Sequence, residues 1–205
     1  MKKLVHQLKR ISKVLLFYLV ILLSNHTLVF AHESKPSRAE VRMVNLEVTL
    51  LVHAIKRIKW EDSTLPPKEK RVKFIVAGND NCLFKERLSF LITEENIDFN
   101  GRKIEIIACK NSNEALGLAQ NDALIMCIFL LVSESKTWER TKYPERDGLL
   151  IYGQGSEYKG KGLPLSSRVE NNRIKLSVNL RRMNALRLRV DDHFLVLNRV
   201  VSFSE

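Results

Sequence analysis

The hydrophobic pattern of this chain first takes helical spacing. Between Ala39 and Trp60 there is no proline or glycine, and apolar residues recur every three or four positions. They are Val41, Val44, Val48, Leu51, Val52, Ile55 and Ile58. This spacing puts one apolar stripe on a helix, so it predicts a long amphipathic helix of about five or six turns. Two prolines in the following EDSTLPPKEK end it.

Three apolar runs come next, and each is typical of a buried strand. They are VKFIVAG from Val72, RKIEIIAC from Arg102 and DALIMCIFLLVS from Asp122. Between them, NDNCLFKERLSFLI predicts a loop and a helix, and NSNEALGLAQ predicts a short helix capped by Asn111 or Asn113. The third run is apolar throughout, as expected of a central parallel strand buried on both faces. Strand, helix, strand, helix, strand at this spacing predicts a doubly wound α/β fold.

The pattern becomes more polar after Ser133. LLIYG predicts another short strand, and a glycine-rich loop, GQGSEYKGKG, covers Gly153–Gly162. LPLSSRVENNRIKLSV predicts a hairpin that turns at Asn171 and Asn172. Two short helices follow, one capped by Asn179 and one by Asp191 or Asp192. We therefore predict one α/β domain over residues 39–205, with a mostly parallel central sheet flanked by helices, a C-terminal hairpin and two short helices.

The first 31 residues have the layout of a secretory signal peptide. A basic stretch without acidic residues precedes the apolar run Val14–Leu23, and the small residues Val29 and Ala31 suit a cut before His32. Residues 32–38 are then a flexible start. The alternative is an uncleaved anchor over residues 14–31. In both cases the rest of the chain faces an extracytoplasmic space, which we predict to be the periplasm.

Charge adds little to this picture. The formal net charge is +11, from 34 Lys and Arg against 23 Asp and Glu. Five of the basic residues lie in residues 1–31, so 29 basic against 23 acidic residues, or +6, remain for the domain. Positive and negative residues alternate in KWEDS and PKEKRVK. Nucleic-acid binding favours a stripe of one sign, so no nucleic-acid partner is predicted.

The sequence has no recognisable catalytic or metal-binding set. The histidines lack H-x-x-x-H spacing, there is no C-x-x-C, and no G-x-S-x-G nucleophile elbow occurs. The glycine-rich loop lacks the spacing of a phosphate loop, so it is either a mobile connection or a contact loop presenting Tyr152, Glu157 and Tyr158. We predict no catalytic residues, no metal and no cofactor, and the chain is not expected to be an enzyme.

Three cysteines, Cys82, Cys109 and Cys127, lie beyond the signal peptide. In an oxidising compartment an odd number allows at most one bridge within the chain. Cys82 and Cys127 flank the first half of the predicted core. They form a possible disulfide if the strands bring them within bonding distance.

The C-terminal stretch RIKLSVNLRRMNALRLRVDDHFLVLNRVV resembles the closing motif of the YfiR-like family. That motif is an alternating strand ending in Asn-Leu, a short helix, a Leu-x-hydrophobic step and a leucine-rich helix. The residues that fit it are Leu176, Val178, Asn179, Leu180, Ala185, Leu186, Leu188, Val190, Leu195, Leu197 and Val200. LLVHAIKRIKW resembles the family's first helix, which closes on a tryptophan, here Trp60. The proline that usually follows that tryptophan is Glu61 here.

The resemblance implies a function as well as a fold. YfiR-like proteins are small periplasmic proteins that repress an inner-membrane diguanylate cyclase through its periplasmic sensor domain, so this chain is expected to lower cyclic di-GMP signalling and to form a homodimer. Candidate partner-binding residues are Tyr152, Tyr158, Leu180, Leu186 and Leu188. The three leucines also fit a core, where leucines at helical spacing are more often found. The alternatives are a periplasmic small-ligand-binding protein and, lower, an envelope enzyme.

Overall fold

The structure is a computed structural model that describes residues 36–79, 81–138, 146–171, 173–196 and 200–203. The predicted signal peptide over residues 1–31 and most of the flexible start over residues 32–38 lie outside these ranges. The described residues from Arg38 onward form one compact unit. Within the described ranges, no helix combines the length and the apolar character needed to cross a membrane.

The helices are α1 (Arg38–Lys56), α2 (Asn81–Glu94), α3 (Ser112–Asn121), α4 (Ser135–Trp138), α5 (Leu180–Ala185) and α6 (Asp192–Leu195). The strands are β1 (Ile58–Trp60), β2 (Val72–Ala77), β3 (Ile104–Cys109), β4 (Ile125–Leu130), β5 (Leu150–Gly153), β6 (Leu165–Glu170), β7 (Arg173–Asn179), β8 (Leu188–Val190) and β9 (Val200–Phe203). Short 3-10 turns cover Asp62–Thr64, Val132–Glu134 and Ser156–Tyr158.

One mostly parallel sheet forms the centre of the domain, in the order β3-β2-β4-β5-β6-β7-β9. Its neighbouring strands run parallel except for the hairpin β6–β7, where Glu170 pairs with Arg173. Asn171 turns this hairpin with a positive φ of 51°, which asparagine tolerates better than most residues. All six side chains of β4 are buried, as expected of a central strand. The predicted fold class is therefore confirmed.

The two faces of the sheet carry separate hydrophobic cores. On the face we call the first, α1 and α2 pack on Phe74, Phe129 and Tyr152. On the second face, α3 and α4 pack on Ile75, Ile128 and Ile151. Adjacent strand residues point to opposite faces, so β2, β4 and β5 each serve both cores.

The caps predicted from the sequence are present. Asn111 accepts a hydrogen bond from the backbone N–H of Glu114 at 2.9 Å and begins α3. Asn179 accepts from the N–H of Arg182 at 3.0 Å, and Asp191 accepts from that of His193 at 2.8 Å. Each side chain satisfies a backbone donor that the first helical turn leaves unpaired.

Two stretches predicted as helix are strands instead. The first helix ends at Lys56, and Ile58–Trp60 pairs antiparallel with β8, with Trp60 opposite Leu188. Ile58 and Trp60 are buried while Lys59 is exposed, a period of two that suits a strand. The leucine-rich helix predicted at the C-terminus is wrong at its end, because Val200–Phe203 pairs parallel with β7, while residues 197–199 lie outside the described residues.

Candidate functional site

A pocket opens on the first face where α1 and α2 both end. Its volume is about 390 Å³, within the range of roughly 300–1,000 Å³ that is usual for ligand sites. Strands β1, β2 and β3 contribute the inner wall, and the turn after α2 contributes the outer one. The aliphatic side chains that line it are Val52, Ile55, Ile58, Ile92, Ile97 and Ile104.

Three aromatic rings form the floor of this pocket. Trp60 and Phe99 meet edge to face with ring centroids 4.5 Å apart, and Phe74 lies 5.6 Å from Phe99 in the same arrangement. Edge-to-face rings are favourable beyond the area they bury. The indole N–H of Trp60 donates to the carbonyl oxygen of Gly148 at 2.8 Å, so its only polar group is satisfied away from the pocket. The floor is therefore rigid and apolar.

The rim is polar and carries more negative than positive charge. Its residues are Lys56, Glu95, Asn96, Asp98 and Asn100. Lys56 Nζ lies 3.6 Å from Glu95 Oε2, and Asp98 accepts a hydrogen bond from the Gly101 N–H at 2.8 Å. Asn96 and Asn100 have positive φ angles of 45° and 51°. Asn100 and Gly101 make a tight turn between Phe99 and Arg102, which fixes the outer wall.

A second polar feature of the first face is the Glu47 cluster, formed by Glu47, Tyr152, Gln154 and Ser167. Glu47 is only 7% exposed. It accepts hydrogen bonds from the hydroxyls of Tyr152 and Ser167 and from Gln154 Nε2, the last at 2.7 Å. Burial, together with the negative charge of Glu47, raises the pKa of Tyr152 well above its ordinary value. The cluster fastens α1 to β5 and β6 at the carboxyl end of β5.

Four of the five predicted partner-binding residues are buried in the folded chain. Tyr152 is fully buried, and Tyr158 is 1% exposed with its hydroxyl donating to the Leu131 carbonyl at 2.8 Å. Leu186 and Leu188 lie in the first-face core, and Leu180 is half-buried against it. The surface exposure expected of both tyrosines is wrong, because the strand and the 3-10 turn that carry them point their rings inward, and Leu186 and Leu188 belong to the core. Partner contact through Leu180 stays a prediction.

The predicted disulfide between Cys82 and Cys127 is also wrong. Cys82 is exposed on α2, whereas Cys127 is completely buried within β4, and both are free thiols. Burial raises the pKa of Cys127 well above its ordinary value, which makes this thiol unreactive. Burial and the nearby Glu114 raise the pKa of Cys109 to about 11.

An exposed aromatic residue marks the outer side of α2. Phe90 is 51% exposed, and the Arg87 guanidinium lies 4.9 Å from the centre of its ring. We call this surface the Phe90 face, and it comprises Cys82, Lys85, Glu86, Ser89, Phe90, Thr93 and Glu94. These positions recur at helical spacing, so they share one side of α2.

Sequence reasoning missed both the pocket and the Glu47 cluster. Glu47 lies three residues after Val44 and four before Leu51, inside the apolar stripe, and a charged residue at such a position is the one signal that was available. Within the described ranges, no group of three or more His, Cys, Asp or Glu side chains is placed to hold a metal ion.

Comparisons with known proteins show only a remote structural likeness. No protein-family model matches the chain, and no curated protein matches it. Among solved structures, it is similar to a conserved domain protein from Vibrio cholerae, with 12% sequence identity and a TM-score of 0.44. The similarity covers 78% of this chain and 59% of the Vibrio chain, so this chain spans about three fifths of that protein.

Proposed function

We propose that this chain is a periplasmic regulatory protein that binds and represses the periplasmic sensor domain of an inner-membrane diguanylate cyclase. The observation that carries the proposal is the meeting of the two stretches that resemble the YfiR-like family. Trp60, from the first, pairs with Leu188, from the second, across β1 and β8. Asn179 of the closing motif caps α5, whose end leads into β8. Residues 128 positions apart thus form one structural unit.

A repressor of this kind works by binding one state of the sensor more tightly than the other. Reversing a 99:1 ratio of active to inactive sensor takes about 5.5 kcal/mol of differential affinity. The Phe90 face is the best candidate for supplying it, because aromatic and arginine side chains carry most of the binding energy at protein interfaces. Arg87, which borders this face, already holds its guanidinium over the Phe90 ring, so little side-chain freedom is lost on binding.

Deleting the gene tests the proposal directly, and we expect cellular cyclic di-GMP to rise. Complementation with the wild-type gene should restore the low level, and complementation with Phe90→Ser should not. Leu118→Ser is the matched control, because Leu118 is 42% exposed on α3 at the second face. Both substitutions are at the surface, so melting curves should stay close to wild type. Unchanged cyclic di-GMP after a clean deletion would reject the repressor.

The partner can be sought in the same strains. Envelope membranes carrying the wild-type protein or the Leu118→Ser variant should yield a membrane protein with a cyclase domain after cross-linking and affinity capture. The Phe90→Ser variant should lose it. Sedimentation of the exported protein tests the homodimer that the family resemblance implies.

A second candidate function, the binding of a small ligand, is supported by the pocket between α1 and α2. It does not compete with the first, because the pocket and the Phe90 face share no lining residue. A deletion that leaves cyclic di-GMP unchanged would make ligand binding the leading function.

A further inference from the structure

We infer that the pocket at the ends of α1 and α2 binds a small molecule with an apolar, ring-sized body and a cationic amine head. This inference concerns a different surface from the proposed repressor contact and does not depend on it.

The interior of the pocket selects the body of the ligand. Trp60, Phe74 and Phe99 close the base of the pocket and are only 7%, 1% and 3% exposed, so the apolar surface left for a ligand belongs mainly to Ile92, Ile97 and Ile104. Ile97 and Ile104 are only half-buried, so an apolar ligand would remove their remaining surface from water. The volume of about 390 Å³ is large enough for a single-ring compound.

The charges at the rim of the pocket favour a cationic head group on the ligand. Helix α1 has 19 residues and ends at Lys56, and α2 has 14 residues and ends at Glu94, so two long helices direct their C-terminal ends to the same opening. The C-terminal end of a helix carries a partial negative charge that favours cations. Two rim carboxylates, Glu95 and Asp98, face one ammonium, that of Lys56. Both contributions favour an amine over a carboxylate.

Three probes of equal body and different head separate the possibilities: phenethylamine, 2-phenylethanol and 3-phenylpropionate. Binding to the protein, purified as the cell exports it, would be followed by nuclear magnetic resonance of the two indole N–H groups. Trp60 lies in the pocket floor, and Trp138 is buried in the second-face core and serves as the internal control. We expect saturable shifts of the Trp60 signal alone. The dissociation constant for phenethylamine should be about tenfold lower than that for 3-phenylpropionate.

One matched pair of variants and one charge variant locate the binding site. Ile104→Phe should fill the pocket and weaken phenethylamine binding at least about tenfold, whereas Ile106→Phe should change it less than about twofold. Ile106 is the matched control because it is half-buried two residues along the same side of β3 and does not line the pocket. Asp98→Asn can still accept a hydrogen bond from the Gly101 N–H. It should reduce the ratio of the dissociation constants of 3-phenylpropionate and phenethylamine about threefold.

The wild-type titration decides the inference even if a variant fails to fold. Absence of saturable binding, shifts at Trp138 equal to those at Trp60, or binding of 3-phenylpropionate as tight as that of phenethylamine would each overturn it. A selective Trp60 shift with the expected order of affinities would establish the site.

Discussion

The two faces of the central sheet are filled by different kinds of side chain. The first face holds a chain of aromatic rings, with Phe129 near Phe74, Phe84 and Tyr152 at centroid distances of 5.8, 6.0 and 6.2 Å. The second face is filled mainly by aliphatic and small residues, among them Ala77, Ala115 and Ala119. Small residues let a helix approach a sheet closely, whereas large rings hold it further off. The pocket and the Glu47 cluster accordingly both occur on the aromatic face.

Among the described residues, each face also has one buried glutamate, and the hydrogen-bond partners of the two glutamates differ. Glu47 on the first face has three side-chain donors from two strands and a loop. Glu134 on the second face is 4% exposed and accepts a hydrogen bond from the backbone N–H of Ser112, at the start of α3, at 2.7 Å. The Glu47 carboxylate thus connects separate elements through side-chain hydrogen bonds. The Glu134 carboxylate instead accepts from a backbone N–H at the start of α3.

The largest expected effect is loss of the aromatic ring at the centre of the first face. Phe129→Ala should lower the free energy of unfolding by about 4 kcal/mol, because it leaves a cavity among three other rings. Phe129→Leu should cost about 1.5 kcal/mol, since leucine fills most of that space. Ile128→Val, on the second face of the same strand, should cost about 1 kcal/mol. Urea unfolding measures all three, and equal costs for Phe129→Ala and Ile128→Val would remove the distinction between the faces.

Removal of the buried carboxylates should give the next largest difference. Glu47→Ala leaves three buried or half-buried donors unpaired and should cost about 3 kcal/mol, whereas Glu134→Ala leaves one backbone donor and should cost about 1 kcal/mol. Glu47→Gln is the conservative control, because its carbonyl oxygen can still accept from Tyr152 and Ser167. In urea unfolding, we expect Glu47→Gln to lose only about half of the free energy of unfolding that Glu47→Ala loses. If Glu134→Ala is less stable than Glu47→Ala, the difference that we assign to the two carboxylates is contradicted.

The parts of the fold that depend on local pattern were predictable. Uniform apolarity identified β4, helical spacing identified α1, and short polar side chains identified the caps at Asn111 and Asn179. These features depend on a few consecutive residues and on the preferences of the backbone. The prediction was wrong at Ile58, where apolar spacing fits a helix and a strand equally and the distant strand β8 decides between them.

The candidate site depends on residues that meet only in three dimensions. The pocket joins α1 to a turn some 40 positions later, between Lys56 and Glu95, and no local pattern encodes that approach. Tyr152 and Tyr158 stand beside a polar, glycine-rich stretch, which favoured an exposed loop. Their rings instead fill the two cores, one on each face, and each hydroxyl finds an acceptor there. Local polarity indicated a loop correctly but did not indicate where its side chains point.

The smallest expected effect concerns an ion pair that joins β2 to the end of α3. Lys73 Nζ donates to Asp122 Oδ2 at 2.7 Å, and the two side chains are 27% and 28% exposed. Burial acts to raise the pKa of Asp122, but the hydrogen bonds from Lys73 and from the Leu124 N–H, with the charges of Lys73 and Arg146, hold it below its ordinary value of 3.8. The pKa of Lys73 is correspondingly raised above 10.5, mainly by the hydrogen bond to Asp122.

These shifts fix the sign of a pH dependence. A carboxyl group with a lowered pKa in the folded state contributes stability that is fully present above its unfolded pKa and is lost as the pH falls through its folded pKa. Between about pH 5 and about pH 2, wild type should therefore lose about 0.5–1 kcal/mol more than Lys73→Met. Lys175→Met is the control, because the Glu170–Lys175 pair sits on the exposed hairpin, where water and salt screen it, and it should change the acid dependence less. Urea unfolding at the two pH values measures both variants, and parallel curves for wild type and Lys73→Met would show that this pair does not stabilise the contact between β2 and α3.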